Sequence, residues 1–367
     1  MKRREFFKSA GVSAVGATVA AAGLATPAIA QGNITWRMVT TWPKNFPGLG
    51  VGAQNLADRI TAASGGRLTV QLFAAGEMVP GLQALDAVID GSAEMSHGTP
   101  YYWQNKSQGL SFFTGVPFGM TSRELTAWVR YLGGQELWDK IYDQFGLQGF
   151  LSGDTGTQAG GWFRNELTGV ADIQGLRFRT PGLGGQVWAK LGASVTNLAA
   201  GEIFAALQSG TLDAAEFVGP YNDLALGFYQ IAKNYYFPSF VEPGLATEIV
   251  VDKAKFQALP EDLQQIVRMC AQASYDDVAS DMYANDPRAL NALVNEHGVT
   301  VRRFPEEILE AGAKASMELI SEIREGGDAN TKEVAESFVS AFNLLRQRTE
   351  GTDMPFLAAR EKYIKFD

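Results

Sequence analysis

The sequence predicts an α/β protein of two lobes with a ligand cleft between them, followed by long C-terminal helices. From residue 34 onward, segments rich in β-forming residues alternate with segments of helical periodicity, the pattern of a mainly parallel sheet. A corner of helix, glycine and strand at 87–95 (AVIDGSAEM) is echoed at 206–214 (ALQSGTLDA), which indicates two lobes of similar build, with chance similarity as the alternative. Two such lobes place a ligand near the carboxyl ends of their strands.

The N-terminal elements follow one another with few interruptions. Residues 34–40 (ITWRMVT) and 68–73 (LTVQLF) are rich in β-forming residues and are predicted to be strands. Between them, apolar residues at helical spacing predict a helix over 49–63, which a Gly-Gly pair ends. The alternation continues with a helix at 82–90, a strand at 93–96, a helix at 122–142 and a strand at 149–152.

The stretch 175–222 is predicted to form strand, helix, short strand, helix and strand in turn. Arg177 and Arg179 share one face of its first strand, because alternate residues of a strand point the same way. Pro181 ends that strand and leaves Arg179 at its end. Glu216 stands at the end of the last strand, which is otherwise apolar. Opposite charges at the ends of neighbouring strands are expected to converge on one small ligand.

The C-terminal third is mainly helical. Helices are predicted at 252–258, 260–280, 286–296, 306–325 and 331–349, with one strand at 298–304. The tail beyond them (MPFLAAREKYIKFD) carries several apolar residues that are expected to be exposed.

The first 30 residues predict an export signal that is removed from the mature protein. Arg3 and Arg4 precede an apolar, Ala-rich run at 11–25, and AIA at 28–30 fits a cleavage site. The twin arginine predicts export by the twin-arginine (Tat) pathway. An uncleaved anchor is the alternative, but the apolar run is shorter than the roughly 20 residues that span a bilayer.

The charge of the mature chain disfavours one class of partner. Removal of residues 1–30 takes away four basic and one acidic residue, which leaves 27 basic and 39 acidic residues and a net charge of about −12. Such an acidic surface argues against nucleic-acid binding. It is compatible with an anionic ligand, because a binding site is local.

The sequence carries little sign of catalytic machinery. It has no Gly-x-Ser-x-Gly, no Walker A sequence and no His/Cys cluster with metal-ligand spacing. Cys270 is the only cysteine and is predicted to be a buried apolar residue. His97 follows a strand and is expected to be solvated or to cap the strand, with ligand contact as the alternative. With two histidines in all, an enzyme that depends on histidine is disfavoured.

Arg179, Glu216 and Gln158 are the candidate binding residues. Arg179 is placed to bind a carboxylate through two parallel hydrogen bonds, with a surface salt bridge as the alternative, and Arg177 is expected to be structural. A glutamate in an apolar strand is costly unless it is paired or binds a metal. Gln158 lies in a loop after a strand, and a carboxylate, an amide oxygen and a main-chain carbonyl together form a site for a hard cation. A Glu216 paired to Lys or Arg is the alternative.

Two segments, GLRFRTPG and LGASVTNLAAGEIFAALQSGTLDAAE, resemble the periplasmic solute receptors of the tripartite ATP-independent (TRAP) transporters, the DctP family. The resemblance covers nearly all of the mature chain. It implies the two-lobed periplasmic binding protein fold, a hinge spanned by a long helix, and closure around an organic acid whose carboxylate Arg179 grips. We accordingly expect a signal peptide at 1–30, the first part of lobe I at 31–153, lobe II at 154–250, and at 251–367 a return to lobe I with the hinge-spanning and C-terminal helices.

The loop GDTGTQAGGWFR and the segment AAEFVGPYND resemble more narrowly the subgroup that binds 2-oxo acids or lactate, of which TakP is one member. In that subgroup a metal ion bridges protein and ligand. The resemblance implies Na⁺, or alternatively Ca²⁺, held by Gln158, the Glu216 side chain and the main-chain carbonyl of Phe217. The subgroup usually has Trp at this last position, so Phe217 keeps the main-chain ligand but changes the pocket wall.

Further pocket residues are implied with the same resemblance. Tyr101, Asn222 and Glu242 are expected to contact the substrate together with Arg179 and Gln158. Trp42 and Phe46 are expected to close the cleft from the first lobe, with core packing as the alternative.

The sequence therefore predicts a periplasmic binding protein, not an enzyme, that delivers a small monocarboxylate such as pyruvate or lactate to a TRAP permease. An exported enzyme acting on a small acid and a ligand-sensing subunit of a membrane receptor stay open as alternatives. The last helix and the apolar tail are expected either to form a homodimer contact or to fold back on the first lobe.

Overall fold

The computed structural model describes residues 33–365, so the predicted signal peptide at 1–30 lies outside the described residues. The described chain forms two β-sheets with helices packed around them, which confirms the α/β prediction. The strands are β1 (Ile34–Thr40), β2 (Leu68–Phe73), β3 (Met95–Gly98), β4 (Leu147–Asp154), β5 (Gly161–Phe163), β6 (Arg177–Arg179), β7 (Ser194–Thr196), β8 (Ala214–Ala215), β9 (Asn234–Phe237), β10 (Ala246–Asp252) and β11 (Thr300–Arg303).

The helices surround both sheets and become longer toward the C-terminus. They are α1 (Leu49–Ala63), α2 (Ala84–Ile89), α3 (Ser122–Tyr131), α4 (Gly134–Tyr142), α5 (Gly182–Lys190), α6 (Ala200–Gln208), α7 (Pro220–Leu226), α8 (Lys253–Gln257), α9 (Glu261–Asn295), α10 (Glu306–Gly326), α11 (Ala329–Arg348) and α12 (Met354–Tyr363). Over residues 33–365, none of them combines the length and the apolar character that a membrane span requires.

The first sheet has the strand order β2-β1-β3-β10-β4. Strand β1 pairs in parallel with β2 and β3, whereas β10 runs antiparallel between β3 and β4. We call the part of the chain built on this sheet the first lobe. The predicted bounds of β1, α1 and β2 agree with the structure to the residue.

The second sheet has the strand order β11-β9-β5-β8-β6-β7 and forms the second lobe. Strand β6 pairs in parallel with β7 and β8, and Arg179 on β6 stands opposite Ala215 on β8. Strand β11 pairs with β9. The C-terminal third of the chain, which is otherwise helical, therefore adds one strand to this sheet.

Two chain segments that run side by side connect the lobes. The main-chain N–H of Thr155 donates to Leu245 O (3.0 Å), and that of Gln158 donates to Glu242 O (3.1 Å). The Ser239 N–H donates in turn to Gln158 O (2.9 Å). These hydrogen bonds make the two connections one ribbon, and they fix Gln158 and Glu242 at the junction of the lobes.

Helix α9 is a third link between the lobes and corrects a prediction. The sequence indicated two helices, at 260–280 and 286–296, but α9 is one helix of 35 residues with Pro287 inside it. An internal proline costs a helix about 3 kcal/mol. Contacts with both lobes offset that cost: Val278 approaches Gly153 on the first lobe, and Asp286 Oδ1 accepts from the Tyr221 N–H on the second (3.0 Å).

The single helix predicted at 122–142 is two helices, α3 and α4, which is a second correction. Gly133 between them has a φ of 87°, a left-handed conformation that glycine adopts without strain. A Cβ at Gly134 would lie 2.7 Å from Val129 Cα, so the chain turns back too tightly for a side chain there.

Candidate carboxylate and cation site

Arg179 is the last residue of β6 and is completely buried. Its neighbour Phe178 points to the other side of the strand, where its ring packs on Trp188 (4.9 Å between centroids). Arg177 is exposed and pairs with Asp213 (Nε to Oδ2, 2.8 Å). The expectation that Arg177 is structural is therefore confirmed, and Arg179 is left as the buried cation of the second lobe.

Three described acceptors hold the Arg179 guanidinium in place. Nε donates to Leu198 O (3.1 Å), Nη1 donates to Glu216 O (2.6 Å), and Nη2 donates to the Tyr102 hydroxyl (3.4 Å). Because a guanidinium has five N–H groups, one donor on each terminal nitrogen has no partner among these residues. Two donors on adjacent nitrogens of a buried arginine match the two oxygens of a carboxylate.

Glu216 follows β8 directly, and its N–H donates to Arg179 O (2.9 Å). Its carboxylate is buried beside the guanidinium, with Oε2 3.7 Å from Arg179 Nη1. This separation is too long for a hydrogen bond, and Oε2 has no hydrogen-bond partner among the described residues. Burial raises the pKa of Glu216 to about 8, although the charge of Arg179 opposes the rise.

The oxygens of Glu216 and Phe217 converge on the end of the Gln158 side chain. Gln158 Nε2 donates to Thr155 Oγ1 (2.9 Å), which leaves its amide oxygen 2.8 Å from Glu216 Oε1 and 3.0 Å from Phe217 O. Three oxygens at these distances repel one another unless a cation or a proton lies between them. Rotation of the amide by half a turn would instead let Nε2 donate to both oxygens, while the Thr155 hydroxyl donates to Oε1.

The residues present fit a hard cation. A carboxylate, an amide oxygen and a main-chain carbonyl are the ligand types that Ca²⁺ and similar ions prefer. Over residues 33–365, no group of three or more His, Cys, Asp or Glu side chains is arranged to hold a metal. The fit therefore depends on the buried, unpartnered Oε2 of Glu216 and on the Gln158 orientation in which the amide oxygen faces Glu216 Oε1 and Phe217 O.

Tyr101 enters the site from the first lobe, in the short helix Pro100–Trp103 that follows β3. Its ring packs against Gly182, the first residue of α5 in the second lobe. A Cβ at Gly182 would lie 3.1 Å from the ring, and the φ of 62° also favours glycine. Glycine at this position thus lets an aromatic residue of one lobe reach the helix that follows Arg179 in the other.

Glu242 is a second buried carboxyl group near Glu216. Its Oε2 has no hydrogen-bond partner among the described residues and lies 2.4 Å from where a Cβ on Gly115 would be. Burial and then the charge of Glu216 raise the pKa of Glu242 well above its usual value, and Arg179 opposes this. Unpartnered buried oxygens are costly, so these carboxyl groups indicate a position where a bound group completes the hydrogen bonding.

Asn222 joins the two lobes. It lies on α7 of the second lobe, and its Nδ2 donates to Pro47 O of the first lobe (2.7 Å). Its Oδ1 is buried without a partner among the described residues. The Asn222 Nδ2 is therefore fixed across the cleft, and its Oδ1 is left as an acceptor without a partner among the described residues.

Trp42 and Phe46 are both buried on the first lobe. The Phe46 ring meets the Phe217 ring of the second lobe edge to face, with 5.8 Å between centroids. Trp42 Nε1 donates to His97 Nδ1 (2.9 Å). His97 is thus buried rather than solvated, a correction, and burial lowers its pKa to about 3. The residues next to His97 in sequence gave no sign of this burial, because the Trp42 indole that contacts His97 is 55 residues away.

Three groups of the site were not predicted from the sequence. The Tyr102 hydroxyl accepts from Arg179, Leu198 O accepts from the same guanidinium, and Thr155 orients Gln158. Tyr102 stands beside the predicted Tyr101 in an aromatic-rich segment, so that segment was the available signal. A main-chain oxygen such as that of Leu198 has no signal in side-chain chemistry.

The arrangement combines two binding elements in one buried space. Arg179 offers two adjacent N–H donors, and the oxygens of Gln158, Glu216 and Phe217 offer a cation site beside it. A cation there would stabilise the ionised Glu216 and reverse the effect of burial on its pKa. Arg179 and the cation site together suit a small acid that has a carboxylate and a neighbouring oxygen. The carboxylate would bind Arg179, and the neighbouring oxygen would bind the cation.

The chain is similar in sequence to one family of known proteins. The family model described as DctP, bacterial extracellular solute-binding protein, family 7, matches residues 38–326. A monocarboxylate 2-oxoacid-binding periplasmic protein of Nostoc sp. is 39% identical over 341 residues, which span 92% of this chain and 93% of that protein.

Two crystal structures of TRAP periplasmic solute-binding proteins are similar in fold and sequence. The one from Pseudoalteromonas atlantica, with bound sodium and pyruvate, has a TM-score of 0.86 and 37% identity over 89% of this chain and 99% of that chain. The one from Colwellia psychrerythraea, with bound calcium and pyruvate, has a TM-score of 0.86 and 38% identity over the same shares. The chain therefore belongs to the DctP family of bacterial extracellular solute-binding proteins.

Proposed function

We propose that this protein captures a small monocarboxylate, a 2-oxo acid such as pyruvate or a 2-hydroxy acid such as lactate, and delivers it to the membrane subunits of a TRAP transporter. The observation that carries the proposal is the buried Arg179, with two N–H donors left over, beside the buried and unpartnered Oε2 of Glu216. The similar proteins from Pseudoalteromonas and Colwellia hold pyruvate together with a cation, which supports the same pairing here.

Each site residue has a distinct role in this proposal. Arg179 binds the substrate carboxylate. Gln158, the Glu216 carboxylate and the main-chain oxygen of Phe217 hold Na⁺ or Ca²⁺, which supplies a positive centre for the keto or hydroxy oxygen. Tyr101, Asn222 and Glu242 line the remainder of the pocket.

The buried setting supports a small ligand. Arg179, Glu216 and Gln158 are all at most 2% exposed, so the substrate must be enclosed between the lobes. The Phe217 ring lies near the guanidinium (5.3 Å from the guanidinium carbon to the ring centre) and meets the Phe46 ring edge to face. These aromatic walls limit the length of the substrate beyond its second oxygen.

Thermal unfolding with added 2-oxo and 2-hydroxy acids, with and without Na⁺ or Ca²⁺, tests the proposal. A ligand that binds only the folded protein raises its midpoint temperature. We expect stabilisation by pyruvate-like acids that depends on the cation, and its loss in Arg179→Ala. Stabilisation by no acid under any cation condition would refute the proposal.

The protein is proposed to bind its substrate without converting it. In support, the site holds an arginine and a cation site, and the family consists of solute-binding proteins. Chromatography of a bound acid after prolonged incubation should return the acid unchanged. A new product would favour the alternative of an exported enzyme that acts on small acids.

The family places its members outside the cytoplasm, and we propose that this chain reaches the periplasm by the twin-arginine pathway. The sequence Lys2-Arg3-Arg4 followed by an apolar run supports this route. Replacement of both arginines by lysine should leave the precursor in the cytoplasm, as cell fractionation would show.

We also propose a homodimer formed through the C-terminal helix α12. The whole of α12 is exposed, and its side chains include several large apolar groups. These are Met354, Phe356, Leu357 and Tyr363, with Ile364 directly after the helix. An apolar helix without cover favours a partner, and a second copy of the chain would supply the same helix.

A further inference from the structure

The segment 41–48, between β1 and α1, is anchored firmly to the first lobe, and we call it the closing loop. Trp42 Nε1 donates to the buried His97 Nδ1 (2.9 Å), which ties the start of the loop to β3. A Cβ on Gly50 would lie 2.6 Å from Pro43 O and 2.9 Å from Phe46 Cβ, so the loop folds tightly over the first turn of α1. The closing loop is therefore held on the first lobe by a hydrogen bond and by close packing.

Two neighbouring residues of the closing loop contact the second lobe. The Phe46 ring meets the Phe217 ring at 70°, with 5.8 Å between centroids, an edge-to-face arrangement that aromatic pairs favour. Pro47 O accepts from Asn222 Nδ2 (2.7 Å). Phe46 is 5% exposed, and the Phe217 ring is one of the groups that enclose it.

Phe217 connects the two binding elements of the site. Its main-chain oxygen is 3.0 Å from the end of the Gln158 amide, where the cation is proposed to bind. Its ring lies 5.3 Å from the guanidinium carbon of Arg179, which is proposed to bind the carboxylate. A change in the position of Phe217 would therefore alter the cation ligands, the surroundings of Arg179 and the contact with Phe46.

We propose that Phe46 is a positioning residue through which the first lobe recognises the loaded second lobe. This inference rests on the proposed function. A cation held by Gln158, Glu216 and the Phe217 carbonyl would restrain the main chain at Phe217, and the anchored Phe46 packs on the ring of that same residue. Closure over the substrate then depends on Phe46. Cation binding does not depend on Phe46, because the cation ligands belong to Gln158, Glu216 and Phe217.

Phe46→Ala should separate the two binding steps. At saturating Ca²⁺, we expect the affinity for pyruvate to fall about tenfold, because an edge-to-face contact and the enclosed ring are lost. The affinity for Ca²⁺ measured without any acid should stay within about twofold of the wild type. Phe46→Tyr keeps the ring and should restore pyruvate binding to near the wild-type value. Calorimetry measures each of these affinities.

Closure itself gives a second readout. Small-angle X-ray scattering should show a decrease in radius of gyration when pyruvate and Ca²⁺ are added to the wild-type protein. At equal pyruvate occupancy, Phe46→Ala should show a smaller decrease, because the closed arrangement is less populated.

Phe73→Ala is the matched control. It removes the same ring from the end of β2, in the same lobe but outside the closing loop, and should leave pyruvate affinity unchanged. A double-mutant cycle of Phe46→Ala with Phe217→Ala tests the contact directly, since Phe217→Ala keeps the main-chain oxygen. We expect Phe46→Ala to cost much less in the Phe217→Ala protein than in the wild type.

The outcomes separate this inference from the proposed function. A wild-type protein that binds no small acid would overturn the proposed function. A wild-type protein that binds pyruvate with the same affinity as Phe46→Ala would overturn only the role of Phe46. Equal losses of acid affinity and acid-free cation affinity in Phe46→Ala would also overturn it, because they would indicate a general structural defect.

Discussion

Replacement of Arg179 by alanine should remove most of the affinity for a small acid. The substitution deletes the two N–H donors that remain on Nη1 and Nη2 after the described hydrogen bonds to Glu216 O and Tyr102 are formed. Hydrogen bonds to charged groups contribute about 1.5–3 kcal/mol each, so two of them correspond to about 3–6 kcal/mol. Since 1.4 kcal/mol is tenfold in affinity, the expected loss is about 10²- to 10⁴-fold.

The substitution has a second effect, on the cation. The charge of Arg179 lowers the pKa of Glu216 against the opposing effect of burial. Without Arg179 a proton competes more strongly with the cation for this carboxylate. Acid affinity must therefore be measured by calorimetry over a series of Ca²⁺ concentrations and compared at saturation. Arg179→Lys keeps the charge but not the forked geometry and should lose about tenfold or more.

Arg177→Ala is the matched control on the same strand. Arg177 is exposed and pairs with Asp213 on the surface, and such pairs contribute at most about 1 kcal/mol to stability. Its loss should leave acid affinity within about twofold of the wild type. Equal affinity of wild-type and Arg179→Ala proteins for pyruvate at saturating Ca²⁺ would refute the assignment of Arg179.

Three further predictions concern the cation, pH and assembly. Glu216→Gln should weaken Ca²⁺ and pyruvate binding together in calorimetry, and full pyruvate binding in chelator without Na⁺ would contradict the cation site. Burial raises the pKa of Glu248 from 4.5 to about 8. Between these two pH values the folded protein therefore keeps a proton that the unfolded chain releases. The free energy of unfolding should fall with rising pH in this range, by up to about 1.4 kcal/mol per pH unit. Urea unfolding should show no such contribution in Glu248→Gln, and identical pH profiles for the two proteins would be the contrary result. Removal of residues 350–367 should convert a dimer to a monomer in light scattering, whereas an unchanged mass would place any dimer contact elsewhere.

The sequence predicted the bounds of β1 and β2 and the end of β6, because these follow local rules, whereas the strands predicted at 93–96 and 149–152 are found at 95–98 and 147–154. Arg179 stands at the end of β6 before Pro181, and Glu216 follows β8, where register brings the two together. Strand alternation placed Arg177 and Arg179 on one face of β6, and the end position before Pro181 singled out Arg179. These inferences need only the two-residue period of a strand and the position of one proline.

Contacts between distant segments were not predictable in the same way. The Tyr102 hydroxyl reaches Arg179 from 77 residues away, and Asn222 reaches Pro47 across 175 residues. The continuity of α9 through Pro287 depends on packing against both lobes, which outweighs the local preference of proline. His97 on β3 is similarly buried beside Trp42, which lies 55 residues away in the segment between β1 and α1. In each case tertiary packing decides what local sequence leaves open.

A crystal structure of the protein with pyruvate and Ca²⁺, with the cation located by its anomalous scattering, tests the central claim most directly. We expect the Ca²⁺ peak 2.3–2.6 Å, about the usual Ca–O distance, from Gln158 Oε1, a Glu216 carboxylate oxygen and Phe217 O. The pyruvate carboxylate should accept hydrogen bonds from Nη1 and Nη2 of Arg179. A cation bound away from these three oxygens, or a carboxylate that does not contact Arg179, would contradict the account.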